Sequence, residues 1–315
     1  MMESLPVDMS NPAVQEYLSL IRLQVLTPLS LLINIATVLV CTIIVKPSIG
    51  TVTKMYPTSI SPHPTLVAIY VIAIYIGQVG YCLLLVFARK VETKKTLVKA
   101  VGLSLVLSNW VMAFWAIAWV LRLFLVSTIL LGILILLLAY SNIALLVYHA
   151  PTPSRPLDMA LIHAPLRFFL ILPLSLMFPH SLFITLGHSP EHPEELARHP
   201  WPGFAVVLAV NLVGLAVIVI RRDIVWAVAS TWICVSIWSA RPKPAPVFIT
   251  VILFTVLHPL TLLALLVYDQ MSDRRRGRIA LPPDEEDDGA QARDRGQGHG
   301  RGAREVDAEA VWGST

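Results

Sequence analysis

The sequence predicts an all-α protein: a polytopic bundle of about eight transmembrane helices, followed by a disordered C-terminal tail. The first observation is composition, because 56% of the 315 residues are hydrophobic, only 14% are charged, and the mean hydropathy is +0.71. In soluble domains about a quarter of the residues are charged. The second observation is eight long apolar stretches, and the third is an abrupt change to a charged, Gly-rich composition after about residue 273. Lipid is therefore the expected environment of most of the chain.

The apolar stretches are expected to be helices rather than barrel strands. Lipid cannot satisfy free backbone N–H and C=O groups, and barrel strands alternate in polarity over about ten residues, whereas a spanning helix needs about 20 apolar residues. Arg122 alone interrupts the 48 residues 101–148, which predicts a tight helical hairpin with Arg122 at its turn; without that turn the chain has seven spans. The predicted bundle covers 26–268, with spans at 26–46, 65–87, 101–121, 123–148, 161–186, 203–220, 224–240 and 247–268.

The two ends of the chain differ from the bundle. Residues 1–25 contain acidic residues and no basic n-region, so they do not resemble a cleaved signal peptide. Asn11 and Pro12 form an N-cap and N1 pair, which predicts a short interfacial helix before the first span. Residues 269–315 are predicted to be a basic flank and a disordered cytoplasmic tail, because they hold too few large apolar residues to offset the entropy of ordering.

Basic residues predict the orientation. With eight spans both termini share one face, and the positive-inside rule applies to the short loops. Thirteen basic residues fall on the face of the termini and six on the opposite face, namely Lys46, Lys54, Arg122, Arg198, Arg241 and Lys243. Both termini are therefore predicted to be cytoplasmic; nothing in the sequence identifies the organelle.

The acidic residues exclude several mechanisms. All 20 carboxylates fall in loops, at span ends or in the tail, with Asp158, Asp223 and Asp269 at boundaries. Proton relays and intramembrane aspartyl chemistry use carboxylates within spans. There is no P-loop, nucleophile elbow, HExxH or CxxC motif, and the His- and Glu-containing loop 188–200 has no metal spacing. A non-enzymatic protein without a metal site, a nucleic-acid partner or an identifiable cofactor is expected.

Uncharged polar residues occur about once per span, among them Asn34, Gln78, Asn109, Asn211 and His258. Intramembrane hydrogen bonds contribute on the order of 0.6 to 2 kcal/mol, which is enough to pair helices, so cross-bracing between helices and contact with a polar ligand are both open. His258 precedes Pro259, which frees a backbone carbonyl one turn earlier.

Arg167 lies in a fifth span that contains Pro165, Pro173 and Pro179, and these prolines are expected to bend or break the helix. Two interpretations of Arg167 are open. Its side chain extends along the helix to the membrane surface, or it contacts an anionic group inside a cleft.

The stretch "NWVMAFWAIAW" contains three tryptophans, Trp110, Trp115 and Trp119. At 100° per residue Trp115 and Trp119 lie close to one face while Trp110 points away, so the three do not form a single cage. Trp119 falls near the non-cytoplasmic end, where an interfacial aromatic belt is expected.

Four motifs in this order resemble a fungal family of multi-pass membrane proteins of unknown function, itself distantly similar to the tryptophan-rich sensory and translocator proteins. They are "KPSIGTVTKMYPTSISP", "NWVMAFWAIAW", "HAPLRFFLILPL" and "DIVWAVASTWICVSIW", and the resemblance covers roughly residues 40–265. It implies a sterol- or porphyrin-like ligand held between helices, with Asn109, Trp110, Trp115 and Trp119 as the nearest matches. The translocator proteins have five helices, whereas eight are predicted here.

The sequence therefore predicts a membrane protein that binds a hydrophobic or amphipathic small molecule within its bundle. The predicted ligand contacts are Asn109, Trp110, Trp115, Trp119, Arg167 and His258. The alternatives are a carboxylate-free transporter or channel with a path past Asn211 and His258, and a membrane scaffold or assembly factor that acts through its tail.

Overall fold

The computed structural model describes residues 12–87, 93–94, 96–148, 156–189 and 200–276, and over these ranges it contains helices and no strand. This architecture agrees with the predicted all-α bundle and shows an integral, multi-pass membrane protein. Residues 269–276 of the predicted basic flank continue the last helix, whereas the rest of the predicted tail and most of the loop 188–200 lie outside the described residues. The α-helices are α1 Pro12–Leu39, α2 Ile49–Met55, α3 Pro64–Phe87, α4 Gly102–Val120, α5 Phe124–Tyr148, α6 Pro156–Asp158, α7 Ala164–Leu172, α8 Phe178–Thr185, α9 Pro200–Arg221, α10 Ile224–Trp238 and α11 Ala245–Arg276.

Seven helical segments of the described chain are long and apolar enough to cross a membrane: Tyr17–Ile44, Pro64–Phe87, Thr96–Val120, Phe124–Tyr148, Pro156–Thr185, Pro200–Arg221 and Ala245–Ser272. The helix α10 is apolar but has only 15 residues. At 1.5 Å per residue it rises about 22 Å, which is less than the roughly 30 Å of a hydrocarbon core. The described residues thus form seven full spans and one short apolar helix.

The turn between α4 and α5 confirms the predicted hairpin. α4 ends at Val120 and α5 begins at Phe124, so three residues reverse the chain direction. Arg122 has a φ of 61° and is exposed, which places a left-handed residue at the tip of the turn. The two helices then pack against each other along their length.

The N-terminal helix differs from the prediction. The described chain has no separate interfacial helix, because α1 is continuous from Pro12 to Leu39 and continues into a π-helical turn, Val40–Ile44. No glycine or polar cluster interrupts the apolar pattern near residue 26, and Pro28 is accommodated inside the helix.

The proline-rich fifth span stays helical but changes its winding. Two π-helical segments, Met159–His163 and Pro173–Met177, separate α6, α7 and α8. Proline cannot donate the backbone hydrogen bond of a regular α-helix, and a wider turn accommodates the missing donor. The predicted irregularity therefore takes the form of π-helical turns. This span and Thr96–Val120 are the two most buried spans of the described chain.

Candidate functional site

The tryptophans of α4 form an aromatic cluster with residues of α5 and α8. The ring centroids of Trp115 and Trp119 are 5.8 Å apart, and the Trp119 ring is 5.4 Å from Phe124 and 5.6 Å from His180. Trp110 is half-buried and stacks on Phe114 at 6.0 Å. The prediction that Trp115 and Trp119 share a face, with Trp110 elsewhere, agrees with this geometry.

The aromatic-belt interpretation predicted Trp119 at the protein surface, but the structure buries it. Its side chain is 2% exposed, and its indole N–H donates to the carbonyl oxygen of Ile49 at 3.4 Å. The reason is α2, which begins at Ile49 and packs against α4. A helix after the first span was not among the predicted elements, so this covering was missed.

Asn109 joins three helices. The amide nitrogen of Asn34 on α1 donates to Asn109 Oδ1 at 2.9 Å, and the Tyr75 hydroxyl on α3 donates to Asn34 Oδ1 at 3.4 Å. This contact is the cross-bracing that the polar residues predicted. Asn109 Nδ2 is buried and has no hydrogen-bond partner among the described residues.

Gln78 on α3 lies in a narrow cleft between α3, α4 and α7. Its side chain is 2% exposed, and neither amide atom has a partner within the described part of the chain. The cleft has no room for a water molecule in this structure. Its remaining lining is Tyr81, Leu105, Pro165, Leu166 and Phe169.

Arg167 is paired with an acidic residue that the sequence analysis assigned to a span boundary. Its guanidinium lies 2.6 Å from Asp223 Oδ2, and both side chains are buried. Asp223 does lie at the start of α10, where its Oδ1 accepts from the backbone N–H of Val225 at 3.0 Å and of Trp226 at 3.3 Å. The side chain of Arg167 is therefore buried against Asp223, and its charge is matched within the protein.

His258 belongs to a different contact from the tryptophans of α4. It is fully buried, its Nε2 lies 3.3 Å from the carbonyl oxygen of Asn211, and its ring lies 5.3 Å from Phe254. The Cys234 thiol donates to Asn211 Oδ1 at 3.0 Å. The residues expected to line a transport path are thus packed between α9, α10 and α11.

The sequence analysis missed a polar cluster near the C-terminal end of the fifth span. Thr58 Oγ1 lies 2.8 Å from His180 Nδ1, and Lys243 donates to the carbonyl oxygen of Ser61 at 2.5 Å. Burial lowers the pKa of Lys243 to about 7. The sequence predicts Lys243 only as a loop residue, and no pattern in it connects this lysine with His180.

The described residues contain no group of three or more His, Cys, Asp or Glu side chains able to hold a metal ion. The predicted ligand residues do not form one site: Trp115 and Trp119 meet His180, Asn109 meets Asn34, Arg167 meets Asp223, and His258 meets Asn211. The structure adds four groups that were not among the predicted ligand residues: Asp223, His180, Lys243 and the amide of Gln78, which has no partner among the described residues. The prediction of cytoplasmic termini stays a prediction.

No curated protein and no solved structure gives a significant match to this chain. Residues 24–267 match the protein family described as TSPO-like protein, and this range covers well over half of the chain. It includes every helix from α2 to α10 and most of α1 and α11. The protein is therefore a membrane-embedded helical bundle that belongs to the TSPO-like family.

Proposed function

We propose that the bundle binds a hydrophobic or amphipathic small molecule along α4. The observation that carries this proposal is Gln78, a buried amide without a hydrogen-bond partner among the described residues, in a cleft with apolar walls. Leaving a buried donor or acceptor unsatisfied costs about 1–3 kcal/mol for each group. A ligand that brings a hydroxyl or carbonyl group to Gln78 would remove that cost.

Two further polar atoms on α4 extend the proposed site. Asn109 Nδ2 and the Trp115 indole nitrogen are buried and lack partners in the described chain. Leu105, which lines the cleft, and Asn109 are one turn apart on the same face of α4. From Leu105 to Trp115 the helix rises about 15 Å, a length suited to a rigid fused-ring molecule. A flat apolar body with a few polar groups is the ligand class that this arrangement favours, and sterols and porphyrins belong to that class.

The cleft must widen to admit a ligand, and its walls meet at a glycine. A Cβ built on Gly77 of α3 would lie 2.8 Å from Cγ of Pro165, so only glycine allows this close approach. In our proposal α3 and the fifth span separate when the ligand binds. The nearby π-helical segment Met159–His163 gives the fifth span a non-standard turn beside this contact.

The experiment measures binding of a fluorescent sterol and of a porphyrin to the purified full chain in lipid nanodiscs. We expect Gln78→Leu to weaken binding of the sterol by about tenfold, since the lost hydrogen bond corresponds to about 1.4 kcal/mol. Trp115→Phe, which removes the indole N–H and reduces ring area, is expected to weaken binding of both probes.

The matched control is Trp201→Phe, because Trp201 is 67% exposed on α9. Its binding is expected to equal that of the unmodified protein. Unchanged affinity for both probes in Gln78→Leu, Asn109→Ala and Trp115→Phe, in variants that elute as folded protein, would contradict the proposal.

A further inference from the structure

Lys243 is a cation for which the described residues provide no matching anion. It lies between α10 and α11, outside the spans, and its ammonium donates to the carbonyl oxygen of Ser61. No carboxylate of the described residues pairs with it. An ammonium group has three donors, so two remain for another acceptor. Because burial lowers the pKa of Lys243 to about 7, an anion beside it would stabilise the charged form.

The groups around Lys243 are held in place by their own hydrogen bonds. Thr58 is fully buried, its backbone N–H donates to Ser61 Oγ at 2.7 Å, and its hydroxyl meets His180 Nδ1 at 2.8 Å. His180 is 5% exposed, and its Nε2 atom has no hydrogen-bond partner in the described part of the chain. A continuous run of polar groups therefore links the Lys243 ammonium to a buried imidazole whose second ring nitrogen has no partner among the described residues.

The same imidazole also touches the aromatic cluster of α4. Its ring centroid is 5.6 Å from that of Trp119, which in turn lies 5.8 Å from Trp115. The structure thus joins a cation and a polar imidazole to a buried cluster of aromatic rings. A molecule with a carboxylate on a flat apolar body would complement both: the carboxylate would face the ammonium, and the apolar body would face the aromatic rings.

We infer that the ligand carries a carboxylate, which binds the Lys243 ammonium with His180 as a second polar contact, while its apolar body packs against Trp119 and Trp115. The inference rests on the proposed function, extends its site from Trp115 to Trp119, His180 and Lys243, and names the class of ligand: an amphipathic acid. A carboxylate of the ligand would neutralise Lys243, for which no carboxylate of the described chain is available.

The experiment compares pyrenebutyric acid with its methyl ester, which differs only in the charge and size of the head group. Energy transfer from protein tryptophan to pyrene reports binding of each probe to the full chain in phosphatidylcholine nanodiscs, after correction for empty nanodiscs. We expect the acid to bind about ten- to a hundredfold more tightly than the ester, because charge-assisted hydrogen bonds are stronger than neutral ones.

Two substitutions isolate the charge. Lys243→Met is expected to bring the affinity for the acid down to that for the ester and to leave the ester unchanged, whereas Lys243→Arg retains the preference. Lys54→Met is the matched control, because Lys54 is an exposed lysine at the end of α2. Unchanged binding of the ester shows that each variant is folded.

Each outcome has a distinct meaning. Equal binding of acid and ester to the unmodified protein, or a preference that survives in Lys243→Met, overturns the inference and leaves the proposed function standing. Absence of binding of both probes counts against the proposed function as well. Loss of the preference for the acid when phosphatidylglycerol is added identifies a lipid head group as the occupant and overturns the assignment to a small molecule.

Discussion

The fifth span contributes to two regions that each contain a buried or half-buried cation. The cation has a carboxylate partner in the first region, but in the second the described residues provide none. Near its N-terminal part, Arg167 meets Asp223 at 2.6 Å, and the same carboxylate caps α10. Near its C-terminal end, His180 is linked through Thr58 and Ser61 to Lys243, whose only hydrogen bond in the described chain goes to a neutral carbonyl. The first region is electrostatically complete, whereas the second has unused donors. The comparison separates a contact that stabilises the bundle from one that is available to a ligand.

The largest effect is expected where the pair is broken. Asp223→Asn keeps a good N-cap for α10 but leaves the Arg167 guanidinium buried without a counter-charge, which costs about 3–5 kcal/mol. Thermal unfolding in detergent should show a large fall in melting temperature.

The control for this prediction is the double variant Arg167→Met with Asp223→Asn. Removing both charges takes away the unpaired ion, so the double variant is expected to be more stable than Asp223→Asn alone. If the two variants unfold at the same temperature, the two residues are not coupled, and the contrast between the regions disappears.

An intermediate effect is expected at the wall of the second region. A Cβ on Gly203 of α9 would lie 2.9 Å from Ser59 Cβ, so Gly203→Ala must displace the segment that carries Thr58 and Ser61. Overpacking of this kind costs about 1–3 kcal/mol. We expect a lower melting temperature together with weaker binding of pyrenebutyric acid.

Gly50→Ala is the matched control for this change, because nothing lies within 4 Å of the Cβ that it adds. It should leave both measurements unaltered. Normal binding of the acid in Gly203→Ala would show that the Ser59 segment does not shape the anchor.

The smallest effect is expected for the stability of Lys243→Met without ligand. The substitution loses one hydrogen bond but also removes a partly buried ammonium, so the free energy of unfolding should change by less than about 1 kcal/mol. The measurement is the same thermal unfolding as for Asp223→Asn. A loss as large as in that variant would mean that Lys243 is a structural cation, and the distinction between the two regions would be wrong.

The helical architecture was predictable because the length of an apolar run is tied to bilayer thickness. The single residue Arg122 was enough to divide 101–148 correctly, since one exposed charge in 48 residues has few other places to lie. The pairing of Asn34 with Asn109 could be expected only as a class, because which polar residues face each other depends on the rotation of every helix about its axis.

The charged contacts were beyond the reach of the sequence for a related reason. The sequence places Asp223 at a span boundary, but its burial is imposed by a different span that packs over it. Lys243 and His180 are far apart in the chain, and the segment that joins them through Thr58 and Ser61 is an irregular connection without a periodic pattern. Local patterns carry no information on contacts of this type.

The π-helical segment Pro173–Met177 lies between Arg167 and His180 on the same span. In a regular α-helix each residue is rotated by about 100° about the axis from the one before it. A π-helical turn contains more residues, so the rotation per residue is smaller. The number of residues in the π-helical turn thus sets the angle about the helix axis between Arg167 and His180. Because Pro173 begins this wide turn, one continuous helical span directs Arg167 towards Asp223 and His180 towards Thr58.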